Sequence, residues 1–466
     1  MKNTSLLKYS IASAGDSAMY SYVNTFWLFY LTTVAGVPPA AAGAVTAVGA
    51  VFQAVASPFF AACSDRLVHR LGRRRPFILF SALPLGFFAC LMFTKLPLGG
   101  SPRVALLFLL GAGFWVLFAA FFIPHLAWGA EIATDYNERT AIRTYAYVMY
   151  TVGFLLGNVV PTIAVDGFGG AGLSEPTAWL CVTVIVAAPA CGCILYTGLA
   201  APEQPSLGPG PNAPAFSLRA LLRDYRQVLK LRPLRLLIFA VMAYLIGNSM
   251  VVADRMYAFT FQMGFSGPFI SALMLVFGLL GIFLAVPMMR LAKRFDKRTM
   301  LIACLGVGGC LMASARLVEI TRFSLPLLLA LLLVYAAVST AYWQLMPAAF
   351  YDICEVDEYE NNVRRAGTIT STLPMAQALA SAVGMQTLGI WLELKGFAAG
   401  SASQSAEALA AVFDCFTLVP GLLFAAAALF MFRFPITKQR FEAIKRELAA
   451  RRREAGETDE ADEAEV

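Results

Sequence analysis

The sequence predicts an all-α membrane protein whose twelve transmembrane helices form two six-helix halves. Three observations carry that prediction. The first is composition: of 466 residues, 59% are hydrophobic and 14% charged, whereas a soluble domain has roughly 45–50% apolar and about 25% charged residues. The second is the division of the apolar residues into twelve runs, each about as long as the roughly 20 residues that span a bilayer. The third is the placement of Lys and Arg, which alternates from one side of these runs to the other. Together these exclude a disordered chain, a disulfide scaffold and an ordinary soluble enzyme.

In chain order the runs are 6–34, 40–62, 77–93, 104–128, 145–165, 177–199, 234–261, 270–291, 300–317, 325–350, 368–392 and 408–434. The first is too long and too polar for a cleaved secretory signal. The link at 201–232 opens rich in Pro, Gly and Ser, then turns basic and amphipathic over 217–230. It separates six runs from six. The expected organisation is a first half at 1–200, a middle loop at 201–232, a second half at 233–435 and a charged tail at 436–466.

The charge balance is 36 Lys and Arg against 29 Asp and Glu, a net +7. Odd-to-even connections hold only Lys95, Arg103, Arg316, Arg322 and Lys395, and Arg255 falls inside the seventh run. The other cations sit in or beside the termini and the even-to-odd loops. The positive-inside rule therefore predicts both termini in the cytoplasm of a multi-pass protein of the inner or plasma membrane. A one-helix shift of register would reverse the bias, so it also supports the count of twelve. The excess charge reflects topology, and no nucleic-acid partner is expected. Two His and nine scattered Cys form neither a CxxC pair nor an HExxH motif, so no metal site, disulfide framework or cofactor is expected. No nucleophile–base pair points to an enzyme.

The architecture fits the major facilitator fold. Three stretches then resemble the glycoside–pentoside–hexuronide cation symporters, the melibiose permease-like branch of that superfamily. The first run holds Gly15-Asp16-Ser17 with Tyr20 after it. The fourth ends Ile123-Pro124-His125-Leu126-Ala127-Trp128-Gly129-Ala130-Glu131 and leads to Asp135-Tyr136-Asn137-Glu138-Arg139-Thr140. After the tenth comes Asp352-Ile353-Cys354-Glu355-Val356-Asp357-Glu358-Tyr359, then Arg364-Arg365-Ala366-Gly367. The resemblance runs from about residue 6 to 435. It implies a secondary transporter of a sugar-like solute working by alternating access.

The departures from the family pattern are equally specific. Where cation-coupled members carry two aspartates on the second helix, this chain has Gln53 and Ser57. Phe122 replaces an aspartate before the Ile-Pro pair, Tyr147 stands at an arginine position, and Gln377 or Ala378 at a lysine position. The usual sodium site is therefore expected to be lost, leaving proton coupling through Asp16 or no coupling at all. A site holding Phe122 and Tyr147 in place of charges is less polar than a disaccharide site. It favours a glycoside, a glucuronide-like conjugate or an amphiphile.

An ionisable side chain inside a span costs some 2.5–3.5 kcal/mol on insertion scales, which makes each a functional candidate. Here these are Asp16, Asp254 and Arg255. Asp16 and Tyr20 share a helix face; Asp254 and Arg255 lie about 100° apart, with Arg255 expected to face inward. The expected substrate-binding set is Asp16, Tyr20, Phe122, His125, Tyr147, Asp254, Arg255, Trp343 and Gln377. Gln53 and Ser57 mark the degenerate cation site. Asp65, Arg66, Arg73, Glu131, Arg139, Asp352 and Arg364 are expected to gate the cytoplasmic side, where weak surface pairs suit bonds that break every cycle. A basic tail helix is expected to lie on anionic lipid headgroups. Export of an amphiphilic or lipid-like molecule, and a non-transporting receptor on the same scaffold, remain as alternatives.

Overall fold

The computed structural model describes residues 2–95, 99–132, 136–201, 223, 225–317, 325–361, 366–401 and 403–454. Among the described residues, a short lead-in helix, Lys2–Ser10, is followed by twelve long helices. They are α1 (Ala12–Phe29), α2 (Pro39–Arg66), α3 (Arg75–Met92), α4 (Gly100–Ile132), α5 (Tyr136–Asn158, resumed at Val160–Gly170) and α6 (Glu175–Ala200). The second six are α7 (Arg232–Tyr257), α8 (Gly267–Arg294), α9 (Lys297–Ser314), α10 (Leu325–Asn361), α11 (Ala366–Leu394) and α12 (Ala406–Phe413, continued through Val419–Phe432). A tail helix, α13, covers Lys438–Glu454.

Among the described residues, ten helices are long and apolar enough to cross a membrane. The two of the expected twelve outside that set are α1 and α11. Both are diluted by polar residues: Asp16, Ser17, Ser21, Asn24 and Thr25 on α1, and Thr372, Gln377, Ser381 and Gln386 on α11. Their polarity has a structural cause, because each turns a face to the centre of the molecule rather than to lipid.

Lipid offers no hydrophobic drive for helices to associate, so close contact depends on small residues that let backbones approach. Three crossings show this. On α5, a Cβ at Gly153 or Gly157 would strike the carbonyl oxygens of Ala14 and Ala18 on α1. On α11, a Cβ at Gly384 would meet Ser249 and the Ile246 carbonyl of α7. The third crossing joins the halves: Gly43 of α2 faces Gly389 of α11, with a Cβ on Gly389 only 3.0 Å from the Gly43 Cα.

The halves also repeat a detail at helix ends. Helices α1 and α7 each finish in a π-helical turn, Tyr30–Val34 and Ala258–Gln262. In each, the next backbone N–H closes the turn, Ala35 onto Tyr30 at 2.9 Å and Met263 onto Ala258 at 3.0 Å. The chain then reverses at Gly36 (φ +66°) and Gly264 (φ +61°), where an L side chain would be strained.

At the face carrying the termini, two arginines that follow the short loops of the two halves cap helices. Arg75 donates from Nε and Nη2 to the carbonyls of Gly198 and Leu199 at 2.6 and 2.7 Å, capping α6. Arg298, at the matching place in the second half, donates to the Met431 and Phe432 carbonyls of α12. Unpaired carbonyls and the negative end of the helix dipole make a helix C-terminus a natural seat for a guanidinium. Asp352 pairs with Lys297 at 2.6 Å, an inter-helix pair inside the second half and not across the halves. Arg66 and Arg73 border the α2–α3 turn. The side chains of Asp65, Glu131 and Arg139, and all of Arg364, lie outside the described residues.

The tail helix docks on protein. Ile444 and Leu448 of α13 are buried, Tyr359 at the end of α10 donates to Glu447 at 2.5 Å, and the Arg451 guanidinium lies 4.6 Å from the Tyr359 ring centre. Its apolar stripe therefore faces α10.

Candidate functional site

Between the halves lies a cavity of about 1640 Å³, larger than the roughly 300–1,000 Å³ of a typical ligand pocket. Helix periodicity explains its walls. Asp16, Tyr20 and Asn24 succeed one another every four residues on α1, so they form a single stripe. The same spacing puts Gln53 and Ser57 side by side on α2, and Trp115, Phe118 and Phe122 on one flank of α4. Tyr147, Tyr150 and Phe154 enter from α5; Trp343 and Gln344 from α10; Gln377 and Ser381 from α11.

The aromatic flank is braced. Tyr20 meets Trp115 edge-on at 5.8 Å between ring centres and Phe118 at 5.8 Å, and Phe118 stacks on Phe122 at 5.8 Å. Facing them, Tyr147 and Trp343 remain about half exposed, at 53% and 49%. Many of the polar side chains are already used. Ser57 donates to the Gln53 carbonyl at 2.7 Å, Asn24 to the Tyr20 carbonyl at 2.8 Å, and Gln344 to the Ala285 carbonyl at 3.2 Å. Among the described lining residues Asp16 is the one carboxylate, and the cations are Arg226, Lys230 and Arg235. Those three stand at the rim, where the middle loop enters α7, so the cavity opens on the face that carries the termini.

The opposite end is sealed by contacts between the halves. Arg255 of α7 donates from Nη2 to Thr25 Oγ1 of α1 and to Asn158 Oδ1 of α5, both at 2.7 Å. Thr25 donates to the same Asn158 oxygen at 2.9 Å, closing a triangle. Nearer the surface, Thr32 and Tyr257 share a 2.7 Å hydrogen bond. The Gly267 N–H donates to Asp166 at 2.7 Å, and Thr162 bonds to Ser271. The Ala40 N–H donates to Glu393 at 2.7 Å beside the Gly43–Gly389 crossing.

Six of the nine expected substrate residues line the cavity: Asp16, Tyr20, Phe122, Tyr147, Trp343 and Gln377, together with Gln53 and Ser57. His125, Asp254 and Arg255 do not. His125 is buried, stacked on Tyr9 at 4.4 Å and on Phe121 at 5.4 Å, with the Tyr9 hydroxyl donating to its carbonyl. The lead-in helix covers it, which sequence spacing could not show. Asp254 is fully buried, and neither oxygen has a hydrogen-bond partner among the described residues. Arg255 faces the other half, but at the seal beyond the cavity. Asn24 and Thr151 line the cavity without having been anticipated; the four-residue step from Tyr20 was the available signal for Asn24. Thr25, which completes the seal, carries no such signal.

Comparison with known proteins agrees with this geometry. The family model described as "MFS/sugar transport protein" matches residues 8–438. The chain is 24% identical to the isoprimeverose transporter of Lactiplantibacillus pentosus, covering 92% of this chain and 88% of that one. It is 25% identical to the glucuronide carrier protein homolog of Escherichia coli (strain K12), covering 96% of each. The inner membrane symporter YicJ of the same organism is 23% identical over 96% of this chain and 94% of its own. Among solved structures, the nucleoside transporter NupG aligns with a TM-score of 0.64 at 16% identity, over 92% of this chain and 98% of that one. A D-xylose–proton symporter aligns at 0.60 and 16%, over 93% and 97%. Both share the major facilitator fold.

Proposed function

This chain belongs to the MFS/sugar transport protein family, the glycoside–pentoside–hexuronide symporters of the major facilitator superfamily, and we propose that it carries a glycoside or related organic solute by alternating access of its halves. It is a multi-pass membrane transporter, not an enzyme. The observation that carries the proposal is the central cavity, open at one face and sealed at the other, with Asp16 and a braced aromatic wall inside. With both termini in the cytoplasm, the state described here is inward-open, and the Arg255 triangle is its outer seal.

Sodium is not the coupling ion in this reading. Na⁺ needs several oxygen ligands, usually with a carboxylate to offset its desolvation. Gln53 and Ser57 supply only neutral groups, and the Ser57 hydroxyl is turned onto its own helix. Asp16 makes no ion pair or hydrogen bond with another described residue, which leaves it free to exchange a proton and to accept solute hydroxyls. The test is uptake into proteoliposomes with a panel of glycosides, with and without imposed Na⁺ or pH gradients. Accumulation driven by the pH gradient, or equilibration with neither, supports the reading. Strict Na⁺ dependence overturns the loss of the sodium site, and unimpaired pH-driven accumulation by Asp16→Asn overturns coupling through Asp16.

A further inference from the structure

We infer that the cavity takes an uncharged glycoside with an aromatic or apolar aglycone and turns away the corresponding hexuronide. The inference rests on the glycoside reading above and narrows it by charge and by shape. Its first ground is the distribution of formal charge. Above the rim, the described walls carry Asp16 and no guanidinium or ammonium, while Arg226, Lys230 and Arg235 all stand exposed at the entrance. Water and salt screen charges at the rim. They attract an anion to the mouth without holding it inside.

A sugar carboxylate drawn into the cavity therefore loses hydration and gains no countercharge. Where Asp16 is ionised, it also meets a like charge. At about 8 Å and an effective dielectric of about 20, that repulsion is a penalty on the order of 30-fold in affinity. Where Asp16 is protonated the repulsion vanishes, but the unpaired desolvation remains. Hydroxyl groups carry no such penalty, because Asp16, Gln53 and Gln377 offer acceptors and donors for them.

The second ground is the apolar share of the wall. Phe122 stacks on Phe118, which packs on Trp115, and with those two rings buried behind it Phe122 keeps its place without a solute. The half-exposed rings of Tyr147 and Trp343 enter from opposite halves. A bare sugar covers only part of this surface. A phenyl aglycone offers a second flat face, and stacking adds to the area it buries.

The test uses matched ligands: methyl and phenyl β-D-glucoside with phenyl β-D-glucuronide, and the corresponding galacto series, titrated calorimetrically into the purified full-length protein. In the series that binds, the phenyl glycoside is expected to bind at least tenfold more tightly than either the uronide or the methyl glycoside. Gln53→Lys places an ammonium in the wall and should narrow or reverse the uronide gap. Trp343→Ala should erode the phenyl advantage, read as a fall of at least threefold in the ratio of phenyl to methyl glycoside affinity. A uronide bound as tightly as the phenyl glycoside, or a phenyl group that adds nothing, overturns this inference and leaves the glycoside reading standing. Failure of every glycoside to bind overturns both. The wild-type comparison decides the matter even if a variant misfolds, and Asp16→Asn gives a second charge change expected to narrow the gap.

Discussion

The crossing of α2 and α11 holds the halves together on the face away from the termini, and it depends on two glycines having no side chain. A single Cβ placed on Gly389 would lie 3.0 Å from the Gly43 Cα and 3.2 Å from its nitrogen, and closer still to the Pro39 carbonyl oxygen. Ordinary contacts begin near 3.4 Å, so Gly389→Ala requires the helices to separate by about 1 Å at this point. Backbone atoms cannot turn aside as a flexible side chain can. Overpacking of this kind costs about 1–3 kcal/mol. The cost falls only on the state in which this face is sealed, so it shifts the balance towards the opposite state by about 5- to 150-fold. A reporter cysteine at Ala42, fully buried beside the crossing, measures the shift in a background cleared of native cysteines. Its labelling by a membrane-impermeant maleimide should rise at least fivefold in Gly389→Ala. The control is Gly192→Ala on α6, where an added Cβ meets nothing within 4 Å. Equal labelling of Ala42→Cys in both backgrounds would refute the argument that this glycine pair sets the seal.

The remaining predictions follow from other contacts. Arg75→Ala and Arg298→Ala each remove a guanidinium from helix C-terminal carbonyls; each should lower stability by about 0.5–2 kcal/mol, read as similar falls in melting temperature with transport retained. A Tm unchanged in both would show that the caps contribute nothing. His125→Phe should leave the pH dependence of transport intact, because the ring is packed between Tyr9 and Phe121; a changed pH profile would return His125 to the proton path. Ile444→Asp puts a charge on the face of α13 buried against protein and should free the tail, seen as faster proteolysis after residue 436. Protection equal to wild type would mean that the docked helix is not the resting arrangement.

The fold was legible because bilayer physics is severe. Any span must satisfy its backbone internally and present apolar side chains to lipid, so twelve runs and alternating loop charge were enough to set the architecture. Helices α1 and α11 read less clearly than the rest, for the reason that makes them functional: Asp16, Asn24, Gln377 and Ser381 face the cavity. The site was legible where a fixed helical step carries a stripe, as from Asp16 to Tyr20 and from Gln53 to Ser57. It was not legible where a residue's role depends on what packs over it. His125 looks the same in sequence whether it meets solute or Tyr9. Arg255 illustrates the limit best. As neighbours on a helix, Arg255 and Asp254 point apart: Arg255 reaches α1 and α5, while Asp254 is enclosed without a hydrogen-bond partner among the described residues. The depth of Arg255 along α7 was the missing coordinate. That depth is set by the crossing of three helices, two of which approach closely only because Gly153 and Gly157 leave room for the backbone of α1. A buried guanidinium held by the neutral oxygens of Thr25 and Asn158 has given up hydration without gaining a countercharge. Its partners across the halves are therefore set by depth along the helix, which no local spacing in the sequence encodes.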